Sequence, residues 1–242
     1  RPEGVTVRRT IEMTLTNRRG AVKTREAWVL KTSDDKLKKT RIVYTALKAV
    51  RDTSFLSHDH VAPSATDNRW LFIPAARKVR RIPASDRGDY FLGTDFTYED
   101  IQSELKFDLG DYNFMHAGTA PAADGSGIVL HHIKGEPKDA NIAKELGYGA
   151  FEAWVDESNW MPRRIEFRDP KLDALKTVDV KNVSLIDGIW TATDIVATHH
   201  KTGHSTRFAY RDVDYSLSLS EGVFEPAKLD RRPKLKSVAA AE

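Results

Sequence analysis

The feature that most constrains the fold is an alternation of apolar and polar side chains with a period of two residues. The first segment shows the alternation clearly, with apolar side chains at Val5, Val7, Ile11, Met13 and Leu15. Side chains of a β-strand point to opposite faces in turn, so this pattern predicts a strand with one buried face. Two more such segments, 21–31 and 37–49, follow the turn sequences at 17–20 and 33–35. The three segments predict an antiparallel meander.

The second half of the chain repeats the pattern. Alternating segments cover 148–155, 160–167, 175–185, 189–198 and 204–215. Asp187-Gly188 and Thr202-Gly203 lie between successive segments, and dipeptides of this kind favour tight hairpin turns. We therefore expect about ten or eleven strands in all.

Helical signals are few. The strongest candidate helix runs from Glu136 to Leu146, because Pro137 suits a first helical turn and Gly147 suits the residue after a helix end. Residues 99–105 predict at most one short helical turn. The chain is therefore predicted to be mainly β.

Composition limits the class of protein. A chain of 242 residues, 40% hydrophobic and 30% charged, is typical of an ordinary globular protein. All-β chains of this size often form one domain, so we expect a single domain over 1–242 with a frayed basic tail at 231–242. A net charge of +3 disfavours a protein that coats nucleic acid. The absence of cysteine excludes disulfides, thiolate zinc sites and a cysteine nucleophile.

Motifs for chemistry are weak. The sequence has no nucleophile elbow, no glycine-rich phosphate loop and no histidine spacing typical of zinc, so we predict no catalytic residue, no metal and no cofactor. Asp95, Glu99 and Asp100 lie close together beside aromatic residues, and carboxylates so placed can act as a general acid and base. The alternative interpretation is that they cap turns or pair with nearby arginines. We favour a protein that is not an enzyme.

The segment 69–101 combines bulky apolar residues with a basic cluster. Its aromatic residues are Trp70, Phe72, Tyr90, Phe91, Phe96 and Tyr98. Arg77, Lys78, Arg80 and Arg81 lie between them in sequence. Apolar groups beside a cationic rim suit an amphiphile, whose tails need apolar surface and whose head group needs charge. This contrast favours a carrier or binding protein.

Several segments carry a resemblance to a known family. They are 52–56, 70–74, 77–82, 91–100, 152–156, 160–166, 187–193 and 200–206. In this order, and over nearly the whole chain, the sequence resembles the bacterial outer membrane lipoprotein-sorting protein family, which is LolA-like.

The resemblance implies a strongly curved antiparallel sheet that forms an incomplete, or half, barrel with few covering helices. An N-terminal covering helix of the family is expected before Arg1 and is missing from this sequence. The resemblance also implies a periplasmic protein whose signal peptide has been removed, with a hydrophobic cavity for a lipid or for the acyl chains of a lipoprotein. Members often accompany transporters of the resistance-nodulation-division (RND) type, so such an inner-membrane transporter is the expected partner.

Candidate ligand-binding residues follow from this interpretation. The cavity candidates are Trp28, Tyr44, Trp70, Phe72, Met115, Phe151, Trp154 and Trp190. Arg77, Arg80 and Arg81 are the candidates for a head-group rim or a docking patch. Two alternatives stay open. One is a non-catalytic envelope sensor or protein-interaction module, and the other is a lipid or glycan hydrolase that uses Asp95, Glu99 or Asp100.

Overall fold

The computed structural model of the protein describes residues 6–62 and 65–233. Strands make up 53% of the structure and form one 13-stranded antiparallel sheet that does not close into a barrel. The strand order is β6-β5-β4-β3-β2-β1-β13-β12-β11-β10-β9-β8-β7. The predicted mainly β, antiparallel fold class is confirmed.

The bounds of the strands and helices are as follows. The strands are β1 (Thr6–Thr16), β2 (Val22–Ser33), β3 (Leu37–Tyr44), β4 (Ser54–His60), β5 (Asn68–Ile73), β6 (Lys78–Ile82), β7 (Tyr112–Pro121), β8 (Val129–Pro137), β9 (Ala150–Asp156), β10 (Pro162–Arg168), β11 (Ala174–Ile186), β12 (Ile189–His199) and β13 (His204–Asp214). In the described ranges the α-helices are α1 (Tyr98–Ser103) and α2 (Ala140–Leu146).

Three expectations need correction. The third strand ends at Tyr44 rather than near residue 49, and the chain turns through Leu47 in a left-handed conformation with φ 68°. The described ranges contain 13 strands rather than ten or eleven, and the basic segment after β5 is one of them, β6. The predicted helix at 136–146 begins at Ala140, because β8 continues to Pro137 and the Asp139 side chain caps the helix. The predicted tail lies almost wholly outside the described residues.

The chain divides into two compact units. The first unit contains Met13–Thr24 and Ser85–Ala209. The second contains Arg25–Ala84 together with the described residues of 6–12 and 210–233. A single functional domain over 1–242 stays a prediction.

Aromatic stacking builds the core of the first unit. Phe96 stacks on Phe208 of β13 with ring centroids 4.1 Å apart. Phe107 stacks on Phe151 of β9 at 3.6 Å. Gly135 of β8 lies beside the same ring, and a Cβ atom there would come within 2.1 Å of Phe151. A side chain at 135 would therefore displace the Phe151 ring.

Candidate functional site

The strands β2–β5 of the second unit present two faces that differ in their side chains. One face carries two cross-strand rows. The first row is Trp28, Val43, Ser54 and Phe72, and the second is Leu30, Arg41, Leu56 and Trp70. We call this the strap face. The opposite face carries Ala27, Val29, Ile42, Tyr44, Phe55 and Leu71. We call it the Tyr44 face.

The strap face is covered by a segment of the same unit. Residues 219–231, which we call the strap, contribute Val223, Phe224 and Leu229 to a buried cluster. These three side chains pack with Leu30, Leu56 and Phe72, and Trp70 packs at the margin of the cluster. The strap therefore occupies apolar surface that a ligand would otherwise use.

Arg41 fixes the strap through its buried guanidinium group. The side chain is 1% exposed, and it donates hydrogen bonds to the carbonyl oxygens of Val223 at 2.8 Å and of Arg231 at 2.6 Å. Its Nε atom donates to Ser54 Oγ at 3.2 Å. Burial lowers the pKa of Arg41 to about 10, so the group keeps its charge at neutral pH. The strap thus supplies acceptors that this buried cation needs.

The Tyr44 face is apolar over four strands and becomes polar at one end. Its apolar side chains are all between 0% and 8% exposed: Ala27, Val29, Ile42, Tyr44, Phe55 and Leu71. The next cross-strand row contains Lys31, Thr40, Ser57 and Arg69, and Asp59 lies one step further along β4. An apolar surface that ends in charged groups has the polarity of an amphiphile.

Asp59 is the most unusual group at this polar end. It is 8% exposed and accepts a hydrogen bond from Ser57 Oγ at 3.2 Å, but its buried Oδ1 atom has no hydrogen-bond partner among the described residues. Burial raises the pKa of Asp59 to about 8, and the negative charge of Asp67 adds to this, while Arg69 and Lys31 oppose it. At neutral pH the carboxyl group therefore holds its proton and can donate a hydrogen bond.

The structure distributes the predicted cavity residues over several surfaces. In the second unit, Trp28, Trp70 and Phe72 share the strap face, whereas Tyr44 lies on the opposite face. The Arg232 guanidinium lies over the Trp28 ring, 5.5 Å from the centroid of that ring. Ligand contact by these four residues stays a prediction.

The other four candidates lie in the first unit. Phe151 belongs to the aromatic core, and Met115 is 57% exposed on β7. Trp154 stacks on His132 at 4.8 Å, and His132 in turn bonds Glu152 at 2.7 Å. Trp190 is half-buried on β12. Because Phe151 and Trp154 differ by an odd number of positions on one strand, they point to opposite faces.

The basic cluster also divides between the two faces of the second unit. Arg80 pairs with Leu71 across β5 and β6, which places it at the edge of the Tyr44 face. Arg81 pairs with Trp70 on the strap face and donates a hydrogen bond to Asn68 Oδ1. Arg77 lies in the preceding turn, with φ 51°. Of the three, only Arg80 joins the edge of the Tyr44 face.

Sequence reasoning missed Asp59, Phe55 and Leu71. One signal for Asp59 was available, since it stands between His58 and His60 on a strand and must point away from both. The structure agrees, because His58 bonds the strap at the Phe224 carbonyl oxygen, whereas Asp59 is buried on the other face. Alternation alone does not reveal which face the strap covers.

Two of the three candidate acid and base residues, Asp95 and Asp100, lie in a buried polar network, whereas Glu99 lies 3.9 Å from Arg87 Nη1. Asp100 accepts hydrogen bonds from Lys176 Nζ at 2.5 Å and from Tyr148 OH at 3.0 Å. Burial, with Asp100 adding to it, raises the pKa of Tyr148 well above its usual value. Asp95 accepts from Thr206 Oγ1 at 2.7 Å and bonds His204 Nδ1 at 2.6 Å. These bonds attach residues 95–100 to β11 and β13.

Residues 6–62 and 65–233 contain neither a cluster of metal-ligating side chains nor a membrane-spanning helix. Within these ranges no three histidine, aspartate or glutamate side chains gather closely enough to hold a metal ion. No helix in the same ranges has both the length and the apolar character needed to cross a bilayer.

Comparisons with known proteins identify the family. A family model described as "Uncharacterized protein" matches residues 36–231, which is more than half of the chain. The chain belongs to this family. No curated protein matches the chain.

Solved structures share the fold. A domain described as an outer membrane lipoprotein-sorting protein, from Vibrio parahaemolyticus, is 28% identical, with a TM-score of 0.83 and coverage of 95% of this chain and 93% of that one. A DUF1329 family protein from Desulfovibrio piger is 25% identical, with a TM-score of 0.85 and coverage of 93% and 92%. A LolA superfamily protein from Nitrosomonas europaea is 18% identical, with a TM-score of 0.68 and the same coverage of 93% and 92%. The predicted resemblance to LolA-like, lipoprotein-sorting proteins is confirmed.

Proposed function

We propose that this protein is a periplasmic carrier that binds a lipid, or the acyl chains of a lipoprotein, on the Tyr44 face of its second unit. The observation that carries the proposal is the match to the Vibrio lipoprotein-sorting domain, which extends over nearly the full length of both chains. The cargo class follows from the description of that relative, and the compartment follows from the family resemblance. The location on the Tyr44 face comes from the side chains themselves.

The polarity of the Tyr44 face supports this location. Acyl chains need apolar contacts, and Val29, Ile42 and Phe55 supply them at the centre of four strands. A phosphate or carboxylate head group needs cations or hydrogen-bond donors, and the row that contains Arg69, next to protonated Asp59, supplies them. The strap face also ends in a polar row, which consists of Thr32, Lys39, His58 and Asn68. There the strap already engages Lys39 through Glu221 and His58 through the Phe224 carbonyl oxygen, as it engages Arg41.

The energetics suit a reversible carrier. Burial of apolar surface contributes about 25 cal/mol per Å², or about 0.8 kcal/mol per buried methylene. The side chains of the Tyr44 face are already buried, so cargo must replace existing contacts rather than fill open surface. The net gain is therefore smaller than the gross burial, which allows the cargo to be released.

The proposal extends to where the carrier takes or delivers its cargo. We propose that the carrier serves outer-membrane sorting or hands its cargo to or from an RND-type transporter. The support for that partner is the family resemblance alone. No catalytic step is part of the proposal.

A second candidate function is an envelope sensor or protein-interaction module. The observation that favours it is the exposed edge strand β7, which carries Phe114 at 40% and Met115 at 57% exposure. This module would form a stable protein complex whose affinity does not depend on lipid.

The deciding experiment is lipid extraction and mass spectrometry on protein purified from its native envelope without detergent. The carrier predicts a lipid or acylated peptide in near-stoichiometric amount. Protein stripped of lipid should then take up fluorescent fatty-acid or phospholipid probes. A protein that is empty and also refuses both probes would contradict the carrier and favour the interaction module.

A further inference from the structure

Strand β7 is an open edge of the sheet. Within the described chain it is the terminal strand and pairs only with β8. Its ten residues, Tyr112–Pro121, include no lysine, arginine, aspartate or glutamate. An edge strand presents unpaired backbone N–H and C=O groups, which another strand can complete. Charge is the common protection against such pairing, and β7 lacks it.

The first half of β7 is the regular and apolar part of this edge. Residues 112–116 keep an unbroken register with 133–137 of β8, and the register then shifts between His116 and Gly118. In this half Phe114 is 40% exposed and Met115 is 57% exposed. A partner strand would therefore find five regular positions with two exposed apolar side chains.

The edge strand of the second unit is built differently. Strand β6 has five residues, Lys78–Ile82, and three of them are the cations Lys78, Arg80 and Arg81. Short length and positive charge are devices that block edge-to-edge pairing. Two copies of β6 would place like charges opposite one another, which is destabilising. Charge thus protects β6 along its length, whereas the first half of β7 has neither a charge nor a register shift.

We propose that β7 pairs with β7 of a second copy of this chain, in antiparallel orientation about a two-fold axis at Phe114. A two-fold interface must be complementary to itself, and an uncharged strand meets this condition without repulsion. With the axis at Phe114, this side chain lies opposite its own copy, and Met115 lies opposite Asn113. This interaction surface is separate from the Tyr44 face, so it goes beyond the proposed carrier function.

A second group of exposed side chains lies next to the same edge. His131 of β8 bonds His116 of β7, with 3.2 Å between Nδ1 and Nε2. Trp160 stacks on His131 at 5.2 Å and is 56% exposed. The exposed Glu157 carboxylate lies 3.8 Å from His131 Nε2, so this group adds aromatic surface and one carboxylate beside the edge.

A cysteine scan tests the pairing directly, because the chain contains no cysteine and each variant carries a single thiol. Directly opposite residues in an antiparallel pair have Cα atoms about 4.5–5.5 Å apart, within the range that a disulfide spans. Phe114→Cys should therefore form a covalent dimer on mild oxidation, seen on a non-reducing gel. Thr119→Cys lies on the same strand but away from the axis, and Val79→Cys lies on β6, so neither should cross-link. No dimer from Phe114→Cys, or equal dimer from either control, overturns the proposal.

Sedimentation velocity gives an independent readout on the protein without cysteines. Wild type should show a concentration-dependent monomer–dimer equilibrium. Phe114→Lys, which places like charges opposite each other, should weaken it at least about tenfold, whereas Thr119→Lys should leave it unchanged. Circular dichroism checks that both variants fold, and their lipid content should equal that of wild type. A wild-type protein that stays monomeric at every concentration, or that binds an uncharged extended peptide at β7 instead of itself, overturns the proposal.

Discussion

The two faces of β2–β5 in the second unit are both buried, but they differ in whether their buried polar groups find hydrogen-bond partners. On the strap face, Arg41 finds its acceptors in the strap and in Ser54. On the Tyr44 face, the buried Asp59 Oδ1 atom has no hydrogen-bond partner among residues 6–62 and 65–233. Buried polar groups in folded proteins are normally satisfied, so an exception needs an explanation.

The difference separates a structural surface from a candidate functional one. A surface that serves only the fold closes on itself, as the strap face does with Phe224 and Leu229. A surface that retains an unsatisfied buried carboxyl stores free energy that a ligand can recover by supplying the missing partner. We therefore place the cargo on the Tyr44 face. The predictions that follow test this assignment, beginning with the largest expected effect.

Removal of the Arg41 side chain should have the largest effect. Arg41→Ala leaves several strap carbonyl groups buried without a donor, and each such group costs roughly 1–3 kcal/mol. We expect the free energy of unfolding in urea to fall by about 4 kcal/mol and proteases to cleave near the strap. Arg232→Ala is the matched control, because Arg232 bonds the exposed Asp52 at 2.8 Å and should cost less than about 1 kcal/mol. Equal effects of the two changes would contradict the structural role of the strap.

Asp59 should give the protein an unusual dependence of stability on pH. The pKa of Asp59 in the folded protein, about 8, lies above its usual value of 3.8. Between these values the unfolded chain has released a proton that the folded chain still holds, so the free energy of unfolding falls as the pH rises. Inside this window the slope is about 1.4 kcal/mol per pH unit, so a rise of two pH units should lower the free energy of unfolding by about 3 kcal/mol.

The Asp59→Asn variant isolates this effect. It should be nearly as stable as wild type at pH 4 and more stable at pH 8, as measured by urea unfolding at both pH values. Asp67→Asn is the comparison variant, because Asp67 is more exposed and its charge only adds to the raised pKa of Asp59, although it also pairs with Arg69 and accepts a hydrogen bond from His60 N. It should leave most of the pH dependence in place. A stability difference between wild type and Asp59→Asn that does not change with pH would contradict the buried, protonated acid.

The smallest expected effect concerns the predicted rim. Arg80 lies at the edge of the Tyr44 face and Arg81 on the strap face. Exposed charges contribute at most about 1 kcal/mol, so Arg80→Ala should weaken binding of an anionic fluorescent fatty acid by about threefold. Arg81→Ala, its neighbour with the same charge, should leave this affinity unchanged. An equal loss in both variants would contradict the division of the basic cluster between two faces.

Much of the fold could be predicted from the sequence because alternation is a local signal. The segments 189–198 and 204–215 were predicted within two residues of β12 and β13. Local signals also placed the short helix near residue 99, where Thr97 and Asp100 form a capping box. Failures occurred where a neighbour decided the outcome. Glu136 and Pro137 suit a helix, but pairing with β7 keeps them in a strand.

The candidate site was harder to predict because the period of two is the same for both faces of a strand. Trp70 and Phe72 were chosen for their size, and they lie on the face that the strap covers. The neighbour between them, Leu71, lies on the Tyr44 face. The register across four strands separates these faces, and a single strand does not contain that information.

This neighbouring pair also provides the most direct test of the account. Leu71 and Phe72 are each 8% exposed and adjacent on β5, but they point to the Tyr44 face and the strap face respectively. Leu71→Asn and Phe72→Asn should both reduce stability, and the measurement is the ratio of lipid to folded protein after purification without detergent. We predict that Leu71→Asn loses most of its lipid, whereas Phe72→Asn keeps the wild-type ratio. If Phe72→Asn lost its lipid while Leu71→Asn kept it, the cargo would lie on the strap face and the central claim would be wrong.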